Sequence, residues 1–194
     1  MKARPRGRSP RSVLLPFLAL PLLLAFLVPS LAAGAGAATG TATVPTIEIK
    51  MEGRKMGFFG PKTIVEGEEL RVVNETSPSM VGPHTFSLVT KGSLPKTPKA
   101  RKTCFTPGKI CMGIAHWYGL KGEENPKNPI VEAGAEGWDT MGTVTKKGDS
   151  WFTSKKGQSI EQVVSAKAGT TLYFMCAVHP WMQGSIKVLP KPAA

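Results

Sequence analysis

The sequence predicts an all-β fold, a sandwich or small barrel of short strands. Three observations carry this. Apolar and polar residues alternate over several short runs, the period of a half-buried strand. Turn residues punctuate each run, and 21 Gly and 17 Pro make up about a fifth of the 194 residues. No stretch sustains the 3.6-residue period of a long amphipathic helix.

In chain order, residues 38–45 (ATGTATVP) read as a flexible lead-in. TIEIK from Thr46 alternates as a strand. KTIV and ELRVVN are two further strands around the turn EGE. HTFSLVT alternates again from His84, TTLYFMC is rich in β-branched and aromatic residues, and SIKVL is the last strand. Short strands with turns at this spacing point to a sandwich or barrel of one domain over 46–194.

The middle, about 91–157, breaks the pattern. It holds KGSLPKTPKARK, CFTPGKIC, a Gly/Glu/Pro-rich stretch and KKGDSWFTSKKG, and MGIAHWYGL fits a short helix or a strand. A structureless loop of that length is uncommon in a compact domain, so the segment reads as a large insertion with structure of its own. There is no internal repeat.

The composition excludes a disordered chain, a collagen and a multi-span membrane protein. The net charge of +12 invites a nucleic-acid reading, and the position of the charges removes it. Five of the 25 basic residues are Lys2, Arg4, Arg6, Arg8 and Arg11, ahead of the apolar run LLPFLALPLLLAFLVPSL at 14–31 and the small-residue exit AAGAGAA. This order describes a secretory signal peptide over 1–37, with an uncleaved anchor as the alternative. There is no Arg-Arg pair for a twin-arginine signal. Either way the rest of the chain is expected to be exported, to the periplasm, the exterior or the outer face of a membrane. The remaining 157 residues carry 20 basic and 13 acidic side chains, a charge of +7.

The chemistry lies in YFMCAVHPWMQG, where Cys176, His179 and Met182 follow a β-patterned run at three-residue spacing. Singly, each fits an ordinary buried or solvated residue. Together they supply a thiolate, an imidazole and a thioether. With a second imidazole they form the set that suits copper, two His and one Cys with a long axial Met. His84, which opens a strand after Gly82-Pro83, is the candidate for that second imidazole. Zinc on Cys176, His84 and His179 is the alternative, and Met182 at this spacing argues for copper.

These residues resemble the cupredoxins, the type 1 blue copper proteins. CAVHPWMQGSIKV is most similar to an amicyanin-type ligand loop, with Cys-x2-His-x2-Met, a Pro after the His and a Gly two residues after the Met. GPHTFSLV resembles the first-ligand strand and FFGPKTIVEGEELRVVN the early strands, so the likeness covers about 46–90 and 158–190. It implies a Greek-key β-sandwich with an insertion between the first His strand and the Cys-His-Met loop. It also implies one type 1 copper, with His84, Cys176 and His179 equatorial and Met182 axial. Many cupredoxins place Asn after the first His, where it helps hold the Cys loop; this chain has Thr85.

Four protein ligands leave no open position for a small-molecule substrate. The function expected is one-electron transfer by a monomeric carrier meeting a redox protein partner through short-lived docking. Pro180 and Trp181 form a candidate docking patch. A copper storage, delivery or sensing protein is the alternative. An enzyme is not expected: the chain has three His, two already assigned, and no carboxylate pairing or nucleophile motif. Cys104 and Cys111 are expected to form a disulfide in an exported protein. His116 reads as a packed or exposed residue rather than a ligand, and Lys96, Lys99, Arg101 and Lys102 as a solvated basic loop or a site for an anionic partner. Asn74-Glu75-Thr76 matches a glycosylation acceptor pattern.

Overall fold

The structure, a computed structural model, describes residues 43–122, 124–132 and 136–193. The expected signal peptide and residues 38–42 of the lead-in lie outside the described residues. Among the described residues no helix is long and apolar enough to cross a membrane.

Two sheets form a β-sandwich, the fold class predicted. The first contains β1 (Thr46–Glu52), β2 (Lys55–Phe59), β4 (Glu69–Asn74) and β8 (Ser159–Val163), in the order β2-β1-β4-β8. The second contains β3 (Thr63–Val65), β5 (His84–Val89), β6 (Ile130–Val131), β7 (Ser150–Thr153), β9 (Thr171–Met175) and β10 (Gln183–Leu189), in the order β3-β10-β9-β5-β7-β6. β1–β4 and β10–β3 pair in parallel; the other strand pairs are antiparallel. The chain passes between sheets at β3, β4, β5, β8 and β9, so most strands pair with sequence-distant partners.

Alternation along the strands builds the core between the sheets. Ile47, Ile49, Leu70 and Val72 of the first sheet join Phe86, Leu88, Leu172, Phe174, Ile186 and Val188 of the second in one buried cluster around Trp138. Phe58, Phe86 and Phe174 stack within it, with ring centroids 4.8–5.9 Å apart.

The segment 91–157 is not an appendage. It supplies β6 and β7 to the second sheet, and α2 (Pro98–Lys102) and α3 (Ile110–Trp117), while the short α1 (Pro78–Val81) precedes β5. MGIAHWYGL therefore enters the helix, and Cys104 and Cys111 are bonded as a disulfide. Cys104, Ile110, Cys111, Ile114 and Trp117 pack with Val89, Val131, Met175 and Ala177 into a second core. That second core explains why β5 and β7 are buried along their whole length, and why SWFT shows no alternation in the sequence. Period 2 sorts β5 accordingly. Phe86 and Leu88 enter the sandwich core, and Val89 enters the core under the insertion.

The glycine two residues after Met182 has a steric cause. Gly184 pairs with Phe174 across β10 and β9, and a Cβ on it would come within 2.2 Å of the Phe174 ring. That ring is fixed between Phe58 and Phe86. Gly184→Ala is expected to destabilise the fold by about 1–3 kcal/mol, read as a lower urea midpoint at an unchanged slope. A wild-type midpoint would show that the ring gives way freely.

Candidate metal centre

Three chain segments bring the candidate ligands together. His84 is the first residue of β5, Cys176 directly follows β9, and His179 lies in the turn between β9 and β10. Their donor atoms all lie within 4.8 Å of one another, and all three residues are buried. His84 Nδ1 is 3.2 Å from His179 Nδ1 and 3.9 Å from Cys176 Sγ; Cys176 Sγ is 3.6 Å from His179 Nδ1. Met182 is buried in the same core cluster as Cys176.

The loop is held by its own backbone. Met182 N–H donates to His179 O at 2.8 Å, and Cys176 N–H donates to Met182 O at 3.0 Å. The Cys176 sulfur accepts two backbone N–H groups, from Thr85 at 3.3 Å and His179 at 3.4 Å. A thioether, two imidazoles and a thiol are thus positioned by a seven-residue turn and one strand end, with few rotors left free.

His84 is oriented from behind. Its Nε2 is 2.9 Å from Thr76 Oγ1, whose hydroxyl donates to Asn74 Oδ1 at 2.6 Å. Asn74 Nδ2 donates to Thr153 Oγ1 and Lys155 O, which fixes the oxygen of the amide toward Thr76. Because Thr76 spends its proton on Asn74, its oxygen accepts from His84 Nε2–H. The Nδ1 lone pair is then the one aimed at His179 and Cys176. The acceptor pattern Asn74-Glu75-Thr76 is accounted for in this way. Asn74 is fully buried and hydrogen-bonded, not displayed for a glycan.

A second network runs from the insertion. Tyr118, next after α3, donates to Ser150 Oγ at 2.7 Å; Ser150 Oγ is 2.6 Å from Ser87 Oγ; Ser87 donates to Thr85 Oγ1 at 3.0 Å. Thr85 Oγ1 also accepts Ala177 N–H at 2.8 Å. Both acceptor positions of Thr85 Oγ1 are therefore used, while its backbone N–H donates to the Cys176 sulfur. Thr85 thus ties β5 to the Cys loop twice, through its hydroxyl to Ala177 and through its backbone N–H to the sulfur.

Burial dominates the electrostatics. It pushes His84 down to about 4, helped by the charge of His179, and it lowers His179 also, against a contact with the Val81 backbone. Burial pushes the Cys176 thiol up, opposed by the N–H groups of Thr85, His179 and Val178 and by the Thr85 hydroxyl. Tyr118 is likewise raised by burial and stays a donor. The two imidazoles are therefore neutral and able to ligate at pH 7, while the thiol must lose its proton to do so.

The remaining sequence-predicted residues separate from this cluster. Trp181 is 52% exposed and stands edge-on to His179, with centroids 5.0 Å apart; Pro180 is buried. His116 is exposed on α3. Ser87, Ser150 and Tyr118 carry no signal in the sequence, being ordinary polar residues with partners far along the chain, and Asn74 and Thr76 read there only as a glycan acceptor pattern.

No protein-family model matches the chain, and no curated protein matches it. Several solved structures do. A purple cupredoxin from Nitrosopumilus maritimus is 14% identical, covering 74% of this chain and 97% of that one, at a TM-score of 0.36. A dithionite-reduced auracyanin from Roseiflexus castenholzii is 17% identical, covering 75% and 97%, at a TM-score of 0.38. Auracyanin A, a blue copper protein from Chloroflexus aurantiacus, is 18% identical, covering 74% and 95%, at a TM-score of 0.37.

The His84 shift has a sign that can be checked. The folded metal-free chain takes up the His84 proton only near pH 4, the unfolded chain already near 6.5. The group therefore withdraws stability as pH falls through that window. Nitrogen-edited NMR of the metal-free chain should show a His84 midpoint near 4, with the Nε2–H tautomer above it. A midpoint near 6.5 would mean that the ring is not buried as described.

Proposed function

We propose that the chain is a type 1 copper protein that carries single electrons between redox proteins. The observation that carries this is the donor set: two imidazole nitrogens and one sulfur, buried within 4.8 Å of one another. All three are held by hydrogen bonds that need no metal to form. The set fits copper. It has the thiolate and paired imidazoles of such sites, a buried thioether three residues on, and no carboxylate in the cluster. Structural zinc takes four N, S or O ligands, and a thioether is a poor fourth.

His84, Cys176 and His179 would hold the metal, with the Met182 thioether as a fourth donor. Copper there would supply a one-electron couple. The chain's part is to keep the ligands in one arrangement in both oxidation states. Thr76 fixes the His84 ring, the loop's internal hydrogen bonds fix His179, and the N–H groups of Thr85 and His179 hold the sulfur. The surrounding core keeps water out. His179 is 8% exposed beside the half-exposed Trp181, so this edge is the route by which electrons would enter and leave. Pro180, buried and adjacent to Trp181 in the chain, stiffens the backbone of the patch that a partner would touch. The burial of the cluster favours a carrier over a protein that hands copper on. Export, by the basic and apolar N-terminus, places this chemistry outside the cytoplasm.

Copper(II) uptake at pH 7 should release close to one proton, from Cys176, since both imidazoles are already neutral. The loaded chain should then cycle reversibly by voltammetry without surrendering copper to a Cu(I) chelator. Irreversible cycling with rapid copper loss would favour storage or delivery instead. Cys176→Ser should abolish the couple.

The hydroxyl chain makes a separate forecast. Tyr118→Phe removes the outermost donor of the series that ends on Thr85, the residue whose N–H holds the sulfur. The thiolate should become a stronger electron donor and the reduction potential should fall. The stability cost should be about 1 kcal/mol. A loss of stability with an unchanged potential would reduce Tyr118 to a packing role.

A further inference from the structure

The insertion reaches the ligand loop a second time, at the surface. Gln183, which opens β10, donates through Nε2 to Pro180 O at 2.7 Å and to Pro95 O at 2.9 Å. Pro95 O also accepts Arg101 Nε at 3.1 Å, and Arg101 Nη2 donates to Lys96 O at 3.1 Å. One side chain therefore staples the turn holding His179 to the segment that leads into α2. Helix α2 (PKARK), capped by Thr97, therefore starts three residues after a residue tied to Pro180, the neighbour in sequence of the exposed Trp181.

The charge of this neighbour is one-sided. From Thr76 to Gly122 the chain has no acidic residue, and it carries Lys91, Lys96, Lys99, Arg101, Lys102, Lys109 and Lys121. From Gln162 to the end there is again none. The ion pairs among the described residues involve Lys50 and Arg71 only. Lys96, Lys99 and Lys102 are exposed. Solvated lysines add little to stability, so their concentration in a segment tied to an electron-transfer edge is an electrostatic feature.

We propose that α2 and the Lys96 turn are the steering half of the docking face, and that the partner is an acidic redox protein. This rests on the electron-carrier reading. The partner's carboxylates would lie over Lys96, Lys99 and Lys102, and its apolar contact over Trp181. Electrostatic steering raises the encounter rate and leaves the complex short-lived, as a carrier requires.

The test uses the full copper-loaded chain and a small anionic oxidant, hexacyanoferrate(III), in stopped flow at low and high salt. The wild-type rate should fall with ionic strength. The triple variant Lys96→Glu, Lys99→Glu, Lys102→Glu should lose at least about tenfold at low salt and converge with wild type at high salt. The Lys→Gln triple at the same positions should show a smaller loss, and a cationic cobalt(III) chelate should show the reverse order. Lys62→Glu, Lys167→Glu, Lys191→Glu makes the same charge change at the end of the sandwich away from Cys176, and should alter the rate little. Equal effects of the two Glu triples would overturn the proposal while leaving the carrier reading intact. So would binding to phosphatidylglycerol vesicles that depends on α2 without any effect on rate, which would assign the face to a membrane. A wild type that cannot cycle electrons would remove both readings.

Discussion

Two imidazoles and a thiol are buried with their donor atoms turned toward one another, a costly arrangement unless each polar atom is otherwise satisfied. The surrounding structure meets that condition from outside the cluster. Thr76 and Asn74 take the far nitrogen of His84; the Thr85 and His179 backbones take the sulfur; the turn to Met182 closes on itself. These contacts also hold the three inner donor atoms at distances a single ion can bridge. Burial lowers the imidazoles and raises the thiol, which leaves two neutral ligands and one proton to displace.

The insertion belongs to this account. By covering the outer face of β5, β7 and β9 it turns Thr85, Ser87 and Ser150 into buried hydroxyls, and buried hydroxyls must find partners. They find one another, from Tyr118 to Thr85, whose backbone N–H holds the Cys176 sulfur. On the surface the same segment is tied to the ligand turn through Gln183. Its disulfide, Cys104–Cys111, lies in the core that makes both connections rigid.

The strands with one buried face were legible from alternation, as at TIEIK and SIKVL, and the ligand set was legible because Cys176, His179 and Met182 are local. His84 could be found as the strand-opening His after Gly-Pro. What escaped reading was non-local. SWFT is buried on both faces, so its period is hidden, and it was placed inside the insertion although it pairs with β5. SIEQV carries a weak strand pattern because, at the sheet edge, only Ile160 of its five residues is buried. Asn74-Glu75-Thr76 suggested a glycan site because the burial of Asn74 depends on Thr153 and Lys155, some eighty residues away. The choice between helix and strand for MGIAHWYGL was likewise decided by packing on the second sheet.

The cluster at His84, Cys176 and His179 would bind copper through the sulfur, with its donors already held in place by the fold. The absorption and EPR spectrum of the Cu(II)-loaded chain tests this most directly. An intense visible band from the thiolate, with a narrow copper hyperfine splitting, is the result the structure predicts. A nearly colourless Cu(II) protein with the wide splitting of a tetragonal nitrogen and oxygen site would contradict it.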